Sequence, residues 1–162
     1  MSQWYLSVRR GILLTVVGAL LSAAAGGDVA AASRRARGHF ASNVVTEGCT
    51  SPVGICTAGT LTGGVNGTFV FTATSLQPTA DTPTTGVLLY TGDIVLTTRF
   101  GTLTCKDAGA FESTGSGAVS SVCAVVGGTG NLTGAAGTVQ FVGNFTFEGG
   151  GEGEYRAVID VP

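Results

Sequence analysis

The sequence has 162 residues, of which only 11% are charged, whereas glycine alone contributes 27. Its formal net charge is −2, and the part that follows residue 32 keeps six basic and nine acidic side chains, a net charge of −3. Nucleic acids and anionic membranes are bound through basic surfaces, so this charge balance argues against both as main partners.

The first 32 residues have the pattern of an export signal. Arg9 and Arg10 precede an uncharged apolar run over residues 12–25, and three alanines at 30–32 supply a small-residue cleavage site. The run is shorter than the roughly 20 residues of a spanning helix, so we predict a secreted, periplasmic or cell-surface protein with no stable membrane insertion after cleavage. An uncleaved signal anchor that tethers the protein to the membrane is the alternative.

The chain after the signal is long enough for one domain with a substantial core. We divide it into an N-terminal arm with a disulfide loop at 33–56 and a β domain at 57–162. The arm carries arginines at 34, 35 and 37 and the single histidine, His39. We expect the arginines to form a solvated arm or a processing site rather than a binding patch. We expect His39 to occupy a flexible or capping position rather than to act as a general base, because no matching nucleophile accompanies it.

Alternating apolar and polar residues predict strands throughout the β domain. The stretch 86–98 is long for one strand, so we expect a bulge or bend near Gly92. Seven or eight short strands joined by glycine turns indicate a sandwich or an up-and-down barrel. The main predicted strands are 68–74, 86–98, 101–106, 118–126, 138–147 and 154–161, with turns at 107–109, 113–117 and 148–151.

A glycine-rich stretch at 127–137 separates two of these strands. A strand followed by Gly-Gly-Thr-Gly also begins many dinucleotide-binding folds. Here the glycine after Gly130 comes four residues later, at Gly134, and the chain then alternates with period two instead of forming the required helix. We interpret the stretch as a structural corner, and expect no nucleotide or other cofactor.

Four cysteines follow the signal, and an even number in an exported chain predicts two disulfides. We pair Cys49 with Cys56, which closes a small loop, and Cys105 with Cys123, which would face each other if the hairpin between them turned at Thr114. The spacing of the first pair and the absence of paired histidines make metal binding a poor alternative.

The glycine corner also carries a family resemblance. Residues 125–130, followed by 134–137 and an alternating strand, resemble the corresponding turn of allene oxide cyclase-like and dirigent-like proteins, and the stretch 86–101 is similar to exported bacterial members of that superfamily. The resemblance covers residues 59–161. It implies an all-β fold, an antiparallel up-and-down barrel of about eight strands, whose interior is filled by side chains or admits one small ligand. Characterised members handle apolar small molecules, either cyclising a fatty-acid epoxide or steering the coupling of phenolic radicals.

No catalytic residue of those families can be matched to a position here. The carboxylates that could serve a pocket are Asp93, within a predicted strand, and Glu112, at a hairpin end, although solvent exposure is the commoner fate of both. The apolar strand faces carry aromatic side chains that would either fill the core or line a ligand cavity: Phe69, Phe71, Tyr90, Phe141, Phe145 and Tyr155.

Two functions are compatible with this sequence. The first is a secreted, non-enzymatic barrel that binds a small apolar ligand or serves as a surface or matrix component. The export signal, the disulfides and the lack of an acid–base constellation favour it. The alternative is an isomerase or cyclase acting on an apolar molecule inside the barrel, with Asp93 or Glu112 as its polar group.

Overall fold

The computed structural model describes residues 32–162, so the predicted signal lies outside it except for its last residue. Eight antiparallel strands form a closed barrel, which confirms the predicted all-β architecture. A single turn of α-helix, α1 (Thr82–Thr85), precedes β4. Within residues 32–162 no helix is long and apolar enough to cross a membrane. The strands are β1 (Ala32–Val44), β2 (Cys56–Gly63), β3 (Gly67–Pro78), β4 (Val87–Thr98), β5 (Gly101–Glu112), β6 (Ala118–Gly128), β7 (Ala136–Thr146) and β8 (Gly150–Val161).

Each strand pairs with its neighbours in the chain, and β1 closes the cylinder by pairing with β8. The register of this seam runs from Ala32 opposite Val161 to Ser42 opposite Gly151. Apolar residues face the interior at every second position, as in β8, where Tyr155, Ala157 and Ile159 are buried and the residues between them are exposed. This period-two pattern is the reason that the strands could be predicted.

The sequence places residues 33–44 in an arm, but they form most of β1 and complete the barrel. The inward positions of this strand are mostly small, including Gly38 and Ser42, with Phe40 as the large apolar exception. Because these inward residues are small, the segment shows little alternation of apolar and polar residues, although the residues fit inside the barrel. The three arginines of this segment and His39 are exposed, as expected.

The predicted turn at 107–109 is also wrong, because β5 continues from Gly101 to Glu112. Asp and Gly favour turns locally, but pairing with β4 holds the segment extended, with Asp107 opposite Gly92 and Gly109 opposite Tyr90. The inward phase set by Cys105 therefore continues to Asp107. A charged side chain thus points into the barrel.

The long strand β4 is not itself bulged. The irregularity lies in its partner β3, between Ala73 and Ser75, where one extra residue is inserted opposite Gly92. Ser51 of the disulfide loop donates a hydrogen bond to the Ala73 carbonyl at 2.7 Å, and the Ala73 amide donates to the Ile55 carbonyl at 3.0 Å. The bulge therefore anchors the loop between β1 and β2.

One predicted disulfide is present and the other is not. Cys49 and Cys56 are bonded, with their α-carbons 5.7 Å apart. Cys105 and Cys123 are buried free thiols. The β5–β6 hairpin turns one residue later than a turn centred on Thr114 requires, so Cys123 lies opposite Asp107 and Cys105 lies opposite Val125. The two thiols are thus diagonal neighbours instead of facing each other.

The glycine corner connects β6 to β7 through a single 3₁₀ turn, Gly130–Leu132, and a strand follows it. This agrees with the interpretation of the stretch as a structural corner. Gly130 and Gly134 have φ angles of 59° and 76°, a region that favours glycine. The Thr129 and Asn131 amides donate to carbonyls of the β4–β5 turn region, which ties the corner to the neighbouring hairpin.

The two ends of the barrel differ. We call the end that carries the glycine corner and the β2–β3 and β4–β5 turns the closed end. Large apolar residues fill this half, among them Leu61, Leu96 and Leu103. Tyr155, only 1% exposed, seals it: its hydroxyl accepts a hydrogen bond from the Val65 amide at 2.7 Å and donates one to the Val65 carbonyl at 3.0 Å. The opposite end is the open end.

Replacing Tyr155 by phenylalanine should lower the free energy of unfolding by about 1–2 kcal/mol, because both backbone groups of Val65 lose their partner. Urea unfolding of the wild-type protein and Tyr155→Phe would measure the difference. Identical midpoints and slopes would show that the hydroxyl does not seal this end.

Candidate ligand-binding cavity

A cavity of about 100 Å³ occupies the open half of the barrel. The disulfide loop, α1 and the β5–β6 and β7–β8 turns surround its mouth, and side chains from the strands form its wall. Most of the wall is apolar, and its polar side chains include Ser42, Thr57 and Ser121. Its aromatic members are Phe40, Phe69, Phe71, Tyr90, Phe111, Phe141 and Phe145.

The aromatic side chains pack in two groups. Deep in the barrel, Phe40 meets Phe141 edge-on with ring centroids 5.5 Å apart, and Phe69 lies 6.3 Å from Phe141. Nearer the mouth, Tyr90 lies between Phe71, at 5.7 Å, and Phe111, at 6.2 Å. Edge-to-face contacts fix the ring orientations, so the wall of the cavity is ordered by its own packing.

Glycines on neighbouring strands provide the space for these rings. Tyr90 lies directly opposite Gly109, and a Cβ atom at Gly109 would approach its ring to 2.8 Å. Phe40 lies opposite Gly153 in the same way, again at 2.8 Å. The inward glycines therefore let large rings lie flat across the adjacent strand.

The structure brings five of the six predicted lining residues to the cavity wall: Phe69, Phe71, Tyr90, Phe141 and Phe145. Tyr155 has the predicted inward orientation but lies at the closed end. Sequence reasoning missed Phe40, because it was assigned to an arm, and Phe111, because a turn was predicted just before it. Phe111 could have been predicted by continuing the alternation of β5 from Leu103 to residue 111.

The side of the cavity that faces the closed end is its floor, and Asp107 lies there. Asp107 is only 4% exposed. Burial raises the pKa of its carboxyl to about 6, although the Ser121 hydroxyl and the Ala108 amide offset part of this rise. No donor among the described residues hydrogen-bonds to its Oδ1 atom. The carboxyl group is therefore ionised at neutral pH and incompletely satisfied.

The ionisable side chains near Asp107, those of Tyr90 and Cys123, are neutral at pH 7. Burial raises the pKa of the Tyr90 phenol, and the nearby charge of Asp107 raises it further. A hydrogen bond with Cys105 and then burial raise the pKa of the Cys123 thiol. Asp107 is consequently the residue of this group that changes charge near neutral pH.

Asp93, a predicted candidate for the pocket, faces outward instead. It lies opposite Lys106 on β5, and its Oδ1 atom is 2.5 Å from the lysine Nζ atom. Both side chains are substantially exposed, so this ion pair adds little stability. Asp93 does not line the cavity.

Glu112, the other predicted candidate, closes the β5–β6 turn. Its carboxylate accepts hydrogen bonds from the Thr114 hydroxyl at 2.6 Å and from the amides of Gly115 and Gly117 at 3.0 and 3.3 Å. Hydrogen bonds from the Thr114 hydroxyl and amide lower its pKa to about 2. Glu112 thus orders the rim of the mouth without lining the cavity.

The hydrogen bonds of Glu112 predict an acid-sensitive rim. Because its pKa is lowered, its contribution to stability is present above pH 4.5 and lost as the pH falls through about 2. We expect Glu112→Gln to increase amide hydrogen exchange in residues 113–117 at pH 5. The exchange of β8 amides should not change, and equal exchange in both proteins would contradict the role of the carboxylate.

Among the described residues, no group of three or more histidine, cysteine, aspartate or glutamate side chains is placed to hold a metal ion. Comparison with protein-family models, with curated proteins and with solved structures finds no match. The cavity and the residues around it are therefore the features that bear on function.

Proposed function

We propose that this barrel binds a small apolar molecule in the cavity at its open end. The observation that carries the proposal is the cavity itself, which is walled by seven aromatic side chains, whereas large apolar side chains fill the closed half of the barrel. Protein interiors leave few voids larger than a water molecule, and apolar cavities of about 150 Å³ bind benzene-sized molecules. At about 100 Å³ this cavity is smaller than those, so its volume and chemistry suit at most a single ring or a short chain.

The mouth supports the same function. The loop between β1 and β2 is held by the Cys49–Cys56 disulfide and by Ser51, and its Ile55 lines the cavity. Phe147, 48% exposed, stacks edge-on against Phe111 and Phe145 beside the opening. An apolar molecule entering the barrel would meet a fixed apolar rim.

The proposal is tested by filling the cavity. Ala73 is 1% exposed and lines the wall, so Ala73→Leu should abolish binding of toluene, measured by saturation-transfer NMR on the purified protein. Val119→Phe fills the cavity from β6 and serves if the first variant folds poorly. Val70→Leu, on the outer face of β3, is the control and should bind as the wild type does. A wild-type protein that binds no toluene would refute the proposal.

We also propose that the protein acts outside the cytoplasm, as the N-terminal sequence predicts. The Cys49–Cys56 disulfide supports this location, because such bonds persist in oxidising compartments. N-terminal sequencing of protein recovered from the cell exterior should give a start near residue 33. A full-length N-terminus on membrane-bound protein would favour the signal-anchor alternative.

A second candidate function is acid–base isomerisation of an apolar substrate in the same cavity. Asp107 favours it, since a buried carboxyl whose pKa is about 6 can exchange a proton at neutral pH. It takes the role first assigned to Asp93 or Glu112, which lie outside the cavity. A small apolar epoxide of cavity size, such as styrene oxide, should then be turned over by the wild-type protein and by Asp93→Asn but not by Asp107→Asn. No turnover by the wild type would reject this candidate.

A further inference from the structure

The floor of the cavity holds an uncompensated negative charge. All six basic side chains of residues 32–162 are exposed, and Lys106, next to Asp107 in sequence, pairs with Asp93 on the outer surface. The ionisable groups that face Asp107 are Tyr90 on β4, Cys123 on β6 and Cys105 on its own strand. None of them is a cation. Buried carboxylates are ordinarily paired with a cation or fully hydrogen-bonded. The Oδ1 atom of Asp107 has no such partner among the described residues, so we expect a bound molecule to provide one.

We infer, on the basis of the proposed function, that the molecule bound in the cavity is a small apolar amine whose ammonium group pairs with Oδ1 of Asp107. The ammonium group provides a positive charge that pairs with the carboxylate and an N–H donor for its Oδ1 atom. The apolar part of the amine occupies the space between the aromatic rings. The ring of Tyr90, which spans Gly109 beside Asp107, adds a cation–π contact at the same position.

Other apolar ligands fit the floor less well. A hydrocarbon leaves Oδ1 unpaired, and an alcohol donates one neutral hydrogen bond, which is weaker than a charge-assisted one. A carboxylate places a second negative charge beside Asp107 in a site of low dielectric. The chemistry of the floor therefore ranks the classes as amine, alcohol, hydrocarbon and carboxylate.

Four benzene derivatives of nearly equal size, each with a single one-carbon substituent, test this ranking: benzylamine, benzyl alcohol, toluene and benzoate. Their dissociation constants for the purified protein would be measured at pH 7.5 by ligand-observed NMR. We expect benzylamine to bind at least about tenfold more tightly than benzyl alcohol or toluene, and benzoate not to bind. Asp107→Asn should remove this preference, and Asp93→Asn should retain it.

The pH dependence gives a test that needs no variant. Below a pH of about 6, Asp107 takes up a proton, so the preference for benzylamine over toluene should disappear in the wild-type protein. Tyr90 and Cys123, whose pKa values are raised, stay neutral over this range. A preference that persists at pH 4.5, or in Asp107→Asn, would overturn the assignment to Asp107.

Failure of this inference can be told apart from failure of the proposed function. Equal binding of benzylamine and toluene would overturn the inference and leave an apolar binding site. Absence of binding by all four compounds would overturn both.

Discussion

The contribution of Asp107 to the free energy of unfolding should fall by about 2–3 kcal/mol as the pH rises from 4 to 7, because its carboxyl loses its proton inside the barrel. The pKa of its carboxyl is raised from 3.8 to about 6 in the folded protein, and each unit of difference corresponds to about 1.4 kcal/mol. The folded state binds this proton more tightly than the unfolded chain does. The contribution is therefore complete below pH 3.8 and lost as the pH rises through 6.

Asp107→Asn isolates this effect. The variant should match the wild type at pH 4 and exceed its unfolding free energy by about 2–3 kcal/mol at pH 7, as measured by urea unfolding across this range. Asp93→Asn, which removes an exposed carboxylate of the same sheet, should follow the wild-type profile. Parallel profiles for the wild type and Asp107→Asn would show that folding does not raise the pKa of the Asp107 carboxyl.

Gly109→Ala should destabilise the protein by about 3 kcal/mol, the upper end of the usual cost of overpacking. An added Cβ atom would lie 2.5 Å from the Ser120 carbonyl oxygen, 2.6 Å from Cβ of Ser121 and 2.8 Å from Cζ of Tyr90. The φ angle of Gly109 is not positive, so the cost comes from crowding rather than from backbone strain. Relief requires both the β6 backbone and the ring of Tyr90 to shift, and a shift of the ring into the cavity should weaken toluene binding together with stability.

Gly127→Ala is the matched control, because no atom lies within 4 Å of the Cβ position there and its φ angle is also not positive. Its unfolding midpoint in urea should stay within experimental error of the wild type. Equal loss of stability in the two variants would indicate that the removal of a glycine, and not crowding around residue 109, lowers the free energy of unfolding.

Most of the barrel could be predicted because its strands carry large apolar residues inward and threonine or charge outward. The alternation is clearest in β3, β7 and β8. It fails in β1, where small residues face inward because the rings of neighbouring strands already fill the space, as Tyr155 does opposite Gly38. A local pattern cannot show that a small residue is buried under the side chain of a distant strand.

The errors around Asp107 and the cysteines have a related cause. Asp-Ala-Gly favours a turn in isolation, but twelve residues of β4 pair along the whole of β5 and keep it extended. A shift of one residue in the β5–β6 turn is enough to move Cys123 from Cys105 to Asp107. Register between strands is set by the complete sheet, and the sequence around one hairpin does not determine it.

The sequence predicted which face of each strand looks inward, and hence five of the aromatic wall residues. It did not predict their height along the barrel axis, which separates Tyr155 at the closed end from Phe145 at the cavity. Height depends on how each strand is staggered against its partners. Asp107 was missed because the turn predicted at 107–109 ends its strand at residue 106, whereas β5 continues to Glu112.

The pairing of Ala32 with Val161 has a geometric consequence for how the molecule can be attached to anything else. β1 begins and β8 ends beside the glycine corner, about one strand length away from the mouth. Any segment that continues the chain before β1 therefore joins the barrel at its closed end, opposite the mouth. A tether attached there and a molecule entering the cavity use opposite ends of the barrel.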